Sequence, residues 1–171
     1  MVQKKKELYH EGLEEYPRAT VFIENLLFVL WLGVGAFLCW TFLPLIAWIY
    51  LGFGVTMMLF VMRIAVCKNC YYHNKRCHTG WGKLSALYCR HGEITNFCRG
   101  VAGALIPAFY GSIALVPMVL GVIAMVKQFS VVKLSAFIVF LFIITMSSVI
   151  LRKKSCDTCK MKLICPGSAT K

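Results

Sequence analysis

The chain has 171 residues, 59% of them hydrophobic and 15% charged, with a formal net charge of +12. Soluble globular domains carry roughly 45–50% apolar and roughly 25% charged residues, so a water-soluble domain of this length could not cover so much apolar surface. Disorder is excluded as well, because disordered chains are poor in Leu, Ile, Val and Phe. The charges gather in three segments separated by long apolar stretches, the pattern of a polytopic membrane protein.

Residues 1–20 form a polar N-terminal segment, expected on the cytosolic side. It reads as a short surface helix ending near Pro17, with Leu8, Tyr9, Leu13 and Tyr16 toward the membrane. No cleavable signal peptide is expected: the apolar run starts only at residue 21, after Glu7, Glu11, Glu14 and Glu15, and no small-residue cleavage site follows. Residues 21–66 read as a first transmembrane hairpin, with spans near 21–40 and 44–66 and Pro44 in the first turn of the second. At 1.5 Å per residue, roughly 20 residues cross the roughly 30 Å hydrocarbon core. Residues 67–100 make a cysteine-rich loop. Within it, Leu84, Leu87 and Tyr88 fall on one face of a short amphipathic helix predicted between Trp81 and Gly92, with Trp81 as its anchor at headgroup depth. Gly80 and Gly82 read as a turn into that helix. Residues 101–151 make a second hairpin, with spans at 101–126 and 134–151 around a short turn at 127–133. Gly100, Ala104, Ala108 and Ser112 stand at four-residue spacing and predict a close-packing stripe, and Pro107 and Pro117 predict kinks. Residues 152–171 are a cysteine-rich tail. The expected fold is all-α, a four-helix transmembrane bundle of two hairpins with a cysteine-rich cytosolic cap.

Orientation follows from the 19 Lys and Arg residues. Four lie in the N-terminal segment, seven in the central loop and six in the tail, against Lys127 and Lys133 alone in the hairpin turns. The excess predicts that both termini and the central loop face the cytoplasm, in the inner (plasma) membrane. The net positive charge is then a topology signal, with membrane lipid as its second use. No separately folded basic domain is present, so nucleic acid is not expected as a partner.

Of nine cysteines, Cys39 lies within a span and reads as a small apolar residue. The other eight fall on the face expected to be cytoplasmic, where a disulfide framework is not favoured and metal binding or redox chemistry is. Cys67, Cys70 and Cys77 are spaced C-x2-C-x6-C; Cys156, Cys159 and Cys165 are spaced C-x2-C-x5-C. Arg63 and Arg152 stand four residues before the first cysteine of each. Apolar hairpin, arginine and three-cysteine motif therefore recur in both halves, as an internal duplication or a convergent design would produce. A C-x2-C turn aims two thiolates at one centre, as in zinc and iron–sulfur sites. A third thiol farther along suits a cluster, which is a larger object than one ion. Cys89 and Cys98 are candidate further ligands, as are His73, His78 and His91.

Cys165-Pro166 resembles the Cys-Pro ending of bacterial ferredoxin motifs, and the tail's C-x2-C-x5-C before Gly167 resembles the auxiliary-cluster motif of radical-enzyme maturases, without a further cysteine soon after. The whole pattern, with Tyr71-Tyr72 after Cys70 and Gly80-Trp81-Gly82-Lys83-Leu84, is similar to that of a family of small cysteine-rich four-span membrane proteins. That resemblance implies a four-span fold and brings no activity with it.

The spans hold no histidine, which excludes a haem ligated between transmembrane histidines. Their centres lack the ionisable groups of pumps and carriers, so they read as an anchor or as a shell for something apolar such as a quinone. No phosphate-binding loop occurs in the central loop or the tail, and with only Glu93 and Asp157 there they offer no carboxylate pair for acid–base work. Three functions are left open. The first is an iron–sulfur protein transferring electrons at the membrane surface to a membrane or cytosolic redox partner. The second is a zinc-stapled scaffold that docks a partner without catalysis, and the third a thiol-redox or soft-metal handling protein. In each, Cys67, Cys70, Cys77, Cys156, Cys159 and Cys165 are the principal ligands or thiols, and a homo-oligomer remains compatible.

Overall fold

The structure is a computed structural model describing residues 8–97, 101–165 and 167–170, with only the backbone of Val101 and Ala102. Among the described residues it is helical, with no strand beyond one isolated bridge between Leu13 and Cys159. Four helices are long and apolar enough to cross a membrane. They are α1 (Arg18–Phe42), α2 (Pro44–Asn69), α4 (Val101–Lys127) and α5 (Val131–Asp157); the short α3 (Trp81–Tyr88) lies between α2 and α4.

Helix α1 ends at Leu43, whose extended backbone hands over to Pro44 at the start of α2, where a missing N–H is harmless. The helices run farther than the apolar stretches alone predict. α2 continues past Arg63 through Cys67, and α5 past Arg152 through Cys156, because nothing in either segment breaks a helix where it leaves the apolar run. Each is interrupted by a π-helical segment, Met57–Val61 in α2 and Met146–Leu151 in α5. The pairs Met57/Met146, Arg63/Arg152, Cys67/Cys156 and Cys70/Cys159 all stand the same number of residues apart. The repeated halves thus share a backbone irregularity as well as a motif, and π-bulges concentrate at functional sites.

Helix α1 is the hub of the bundle and packs against α2, α4 and α5; α4 in turn packs against the Val131–Thr145 part of α5. The core is aromatic and aliphatic, with Trp31, Leu38, Cys39, Phe109, Ile113 and Phe140 almost wholly buried. Cys39 therefore behaves as the small apolar residue expected of it. Helix α4 runs through both of its prolines. Pro117 has no N–H for the carbonyl of Ile113 one turn back, and two other helices supply the donors: Tyr50 Oη at 2.9 Å and Trp31 Nε1 at 3.4 Å. This repair ties α1 and α2 to α4 at one buried carbonyl.

Three expectations are corrected. The small-residue stripe of α4 is not its packing face: Ala104 and Ala108 are exposed, and Phe109, Ile113, Pro117 and Ala124 are buried instead. In a bilayer exposed apolar surface costs nothing, so Ala104 and Ala108 can face outward while Phe109, Ile113 and Pro117, with Ala124, meet the rest of the bundle. Gly100 lies outside the described residues. The described part of the N-terminal segment, before α1, is not a surface helix. From Leu8 to Pro17 it is an irregular strap whose backbone groups bond to other segments. Trp81 is buried at 6% exposure rather than set at headgroup depth, with Nε1 donating to Asn25 Oδ1 at 3.2 Å and its ring edge-on to Phe28. Leu84, Leu87 and Tyr88 of α3 do remain exposed, with Tyr88 against the outward-facing Phe60 of α2.

Candidate functional site

Both three-cysteine motifs start from the same local turn. The N–H of Cys70 donates to the carbonyl of Cys67, and that of His73 to Cys70; in the tail, Cys159 donates to Cys156 and Lys162 to Cys159. The sulfur of the second cysteine in each motif accepts a backbone N–H two residues on, from Tyr72 for Cys70 and from Met161 for Cys159. Tyr72 and Met161 are themselves buried and seat the two turns.

The two turns face one cavity of ≈270 Å³ at this end of the bundle, lined by Cys67, Cys70, Cys77, Cys156, Cys159 and Cys165 together. Burial pushes the Cys70 thiol well above its ordinary pKa. The N–H of Tyr72 opposes that rise, and Cys67, Cys77 and the tail's Cys159 add to it. Burial likewise raises Cys159, opposed by the Met161 N–H and reinforced by Cys156 and Cys165. His78 also lines the cavity, edge-on to Tyr16. Burial, helped by the Arg152 guanidinium, lowers its pKa to about 4, leaving a neutral imidazole near neutral pH.

The other candidates lie elsewhere. Cys89 closes α3, its N–H on the Ser85 carbonyl, and is not in the cavity wall; its own carbonyl bonds His73 Nε2 at 3.0 Å. His73 packs against His91, away from the six thiols. Cys98 lies outside the described residues. Among the described residues, no three His, Cys, Asp or Glu side chains converge on a point that one metal ion could occupy.

Three devices hold the motifs together. The first is the strap. Leu13 N–H donates to the Thr158 carbonyl and Tyr9 N–H to Lys160, both at 2.9 Å, while Tyr16 N–H donates to Arg76 in the central loop. Tyr16 Oη reaches the Ser155 carbonyl at 2.7 Å, and Tyr72 Oη donates to Leu13 while accepting the Lys160 N–H. The second is charge. Glu14 pairs with Lys75 of the loop and Lys160 of the tail and accepts from Tyr71, while Glu15 pairs with Arg76 at 2.6 Å. The third is Gly80 and Gly82. Gly80 has φ +73°, and a Cβ on Gly82 would collide with the carbonyl oxygens of Tyr72 and Lys75. These glycines serve a turn and a close approach.

The two arginines differ. Arg63 is buried, with Nε 3.4 Å from the Met58 carbonyl of the π segment and the guanidinium 5.9 Å from the Trp81 ring. Arg152 lines the cavity and donates to the Gly167 carbonyl at 2.6 Å, which folds the tail back on its helix. Sequence reading missed the strap and the π segments. The alternation of Tyr9, Leu13 and Tyr16 with Glu11, Glu14 and Glu15 was the available signal for the strap; nothing in the sequence marks the π segments.

The chain is thus an all-helical protein with four helices able to span a membrane and a cysteine-lined cavity at one end of them. Comparison with protein-family models, with curated proteins and with solved structures finds no match.

Proposed function

We propose that this chain is an integral protein of the cytoplasmic membrane, built as two hairpins, whose cysteine-rich end binds an iron–sulfur centre and passes electrons at the cytoplasmic face. The observation that carries the reading is that six thiols from two distant motifs line one cavity of ≈270 Å³. A structural zinc gathers four ligands at roughly 2.0–2.3 Å around a point, and the described side chains do not gather so. A cluster spreads its thiolates over a larger body, each on its own iron, which suits thiols ranged around a cavity wall. The N–H groups of Tyr72 and Met161 on the sulfurs of Cys70 and Cys159 are donors of the kind that tune a cluster's potential. His78 stands at the same wall as a neutral nitrogen donor. Loop and tail are already fastened by the strap, so a zinc staple would be redundant.

The orientation rests on the surplus of Lys and Arg in the three segments at this end, which also places the thiols in a reducing compartment. The deciding experiment is purification without oxygen, followed by iron, zinc and acid-labile sulfide analysis. Brown protein with iron, sulfide and an absorption bleached by dithionite is expected. Colourless protein with zinc and no sulfide would sink the electron-transfer reading in favour of the scaffold.

A further inference from the structure

The cavity does not end at the thiols. Glu24, Phe28 and Trp31 lie along one face of α1 at helical spacing, so the wall descends seven residues, roughly 10 Å, from the cysteine end toward the middle of the bundle. Tyr110 of α4 and Ser147 and Ser148 of α5 line it across from that face. Here α4 and α5 part: α4 packs on the Val131–Thr145 stretch of α5 but scarcely on its π segment. Among the described residues the lower cavity therefore lies beside the loosest seam between these two helices, where an apolar ligand in the bilayer would enter.

Its polar groups are unusual for these helices. Thr41, Ser112, Ser135 and Thr145 turn their hydroxyls onto carbonyls three or four residues back, the ordinary solution for a hydroxyl in a span. The hydroxyls of Ser147, Ser148 and Tyr110 have no such bond among the described residues. Three donors facing a cavity with the aromatic walls of Phe28, Trp31 and Tyr110 suit a flat ring carrying carbonyl oxygens. A phosphate headgroup would call for free cations instead, and the two that line this cavity among the described residues are engaged, Arg152 with the Gly167 carbonyl and Lys162 with Asp157 at 3.1 Å.

From this juxtaposition we propose that the lower cavity binds the head of a membrane-soluble quinone, which enters between α4 and α5 and sits beneath the six thiols. The site's redox use rests on the metal reading above; its ligand chemistry does not. Reduction there takes two electrons, delivered singly through the thiol-held centre from a one-electron carrier protein on the cytosolic side. It also takes two protons, for which the Glu24 carboxyl at the cavity wall, accepting from Ser155 Oγ at 3.4 Å, serves as relay, and yields the quinol.

The test uses the full chain, purified without oxygen into lipid nanodiscs and titrated with decyl-ubiquinone. Tryptophan quenching is followed, with the partition into empty nanodiscs subtracted. Saturable binding is expected, weakened about tenfold in Tyr110→Phe, which removes one donor without changing shape, and abolished in Ser147→Phe, which fills the slot. Quenching that never saturates, saturable binding indifferent to both variants, or a co-purified lipid that the quinone does not displace would each overturn the site. Metal analysis of the same samples separates the two readings. Saturable binding by protein without iron or sulfide supports the slot and removes the metal centre; an intact iron–sulfur chromophore without saturable binding does the reverse.

Discussion

The central arm, from Cys67 to Cys77, and the tail arm, from Cys156 to Cys165, leave their spans through the same turn with the same N–H on the second sulfur, yet they are supported in different ways. The central arm carries its own small fold. Helix α3 packs beneath it, Trp81 and Tyr72 are buried in it, the Gly80 turn sets its direction, and Ser85 Oγ lies 3.4 Å from the Arg63 carbonyl. The tail arm has no such support of its own. It is held from outside by the strap, by Tyr72 of the other arm and by the bond from Arg152 to Gly167. A local motif of a few residues fixes the turn, whereas non-local contacts fix where the turn points, and one arm depends on them far more than the other.

The comparison can be broken most directly through the metal. Cys159 sits where the arms meet, its sulfur close enough to raise the pKa of Cys70. Cys159→Ser is therefore expected to remove most of the bound metal, and Cys89→Ser almost none, because Cys89 lies outside the cavity wall. Metal analysis of the two variants side by side checks this. Equal losses would mean that the centre is built differently from the cavity described here.

The second effect strikes the self-supporting arm. Gly82→Ala would drive a Cβ into the carbonyl oxygens of Tyr72 and Lys75, backbone atoms that cannot swing aside. Overpacking of this kind costs about 3 kcal/mol, enough to loosen the whole loop. Limited proteolysis should show cleavage between residues 67 and 97 before any cleavage in the tail. If the tail were still cut first, the close approach at Gly82 would not be what supports the central arm.

What could be read from the sequence divides along the same line. The spans were legible because hydrophobicity over about 20 residues is a property of a single segment, and the C-x2-C turns because four residues suffice to define them. The packing of α4 was not. Ala104 and Ala108 look like an interface by spacing, but small residues permit a close helix approach without compelling one. Trp81 was misplaced for a related reason: a tryptophan beside a membrane suggests an anchor until Asn25, on a different helix, offers its indole an acceptor. The union of six thiols on one cavity depends on the strap, whose partners lie more than a hundred residues away in the chain for Tyr16 and Ser155.

A third effect sharpens the dependence of the tail on the strap. Tyr16 is 3% exposed, and its hydroxyl ends on the Ser155 carbonyl at 2.7 Å. Tyr16→Phe keeps the ring packed on Tyr72 and removes the hydroxyl's bonds, to the Ser155 carbonyl above all and with it those to Thr158, Cys159 and Tyr72. A buried hydrogen bond lost in this way costs about 1–2 kcal/mol. Hydrogen exchange should rise at residues 155–165 and stay unchanged in α3. A rise in both places would show that the arms share one cooperative unit.

The smallest effect is one of pH, and its sign follows from Glu14. Hydrogen bonds from Lys160 and then Tyr71 hold its carboxyl to about 2, against an ordinary value of 4.5, with Lys75 adding to them. A carboxyl whose pKa is lower folded than unfolded contributes its full stabilisation above the unfolded value and loses it as pH falls through the folded one. The clasp should therefore be unchanged from neutrality down to about pH 4.5, then slacken progressively toward pH 2. Glu14 is the acidic residue of the strap that pairs with loop and tail at once, so the slackening should appear as pepsin cleavage of the tail arm that increases across this interval. Glu14→Gln should cleave at a rate nearly independent of pH over the same range, and high salt should mimic the variant, because the pairs are exposed and screened. Cleavage with the same pH profile in wild type and Glu14→Gln would assign the acid sensitivity to another group and leave the strap held by its backbone bonds alone.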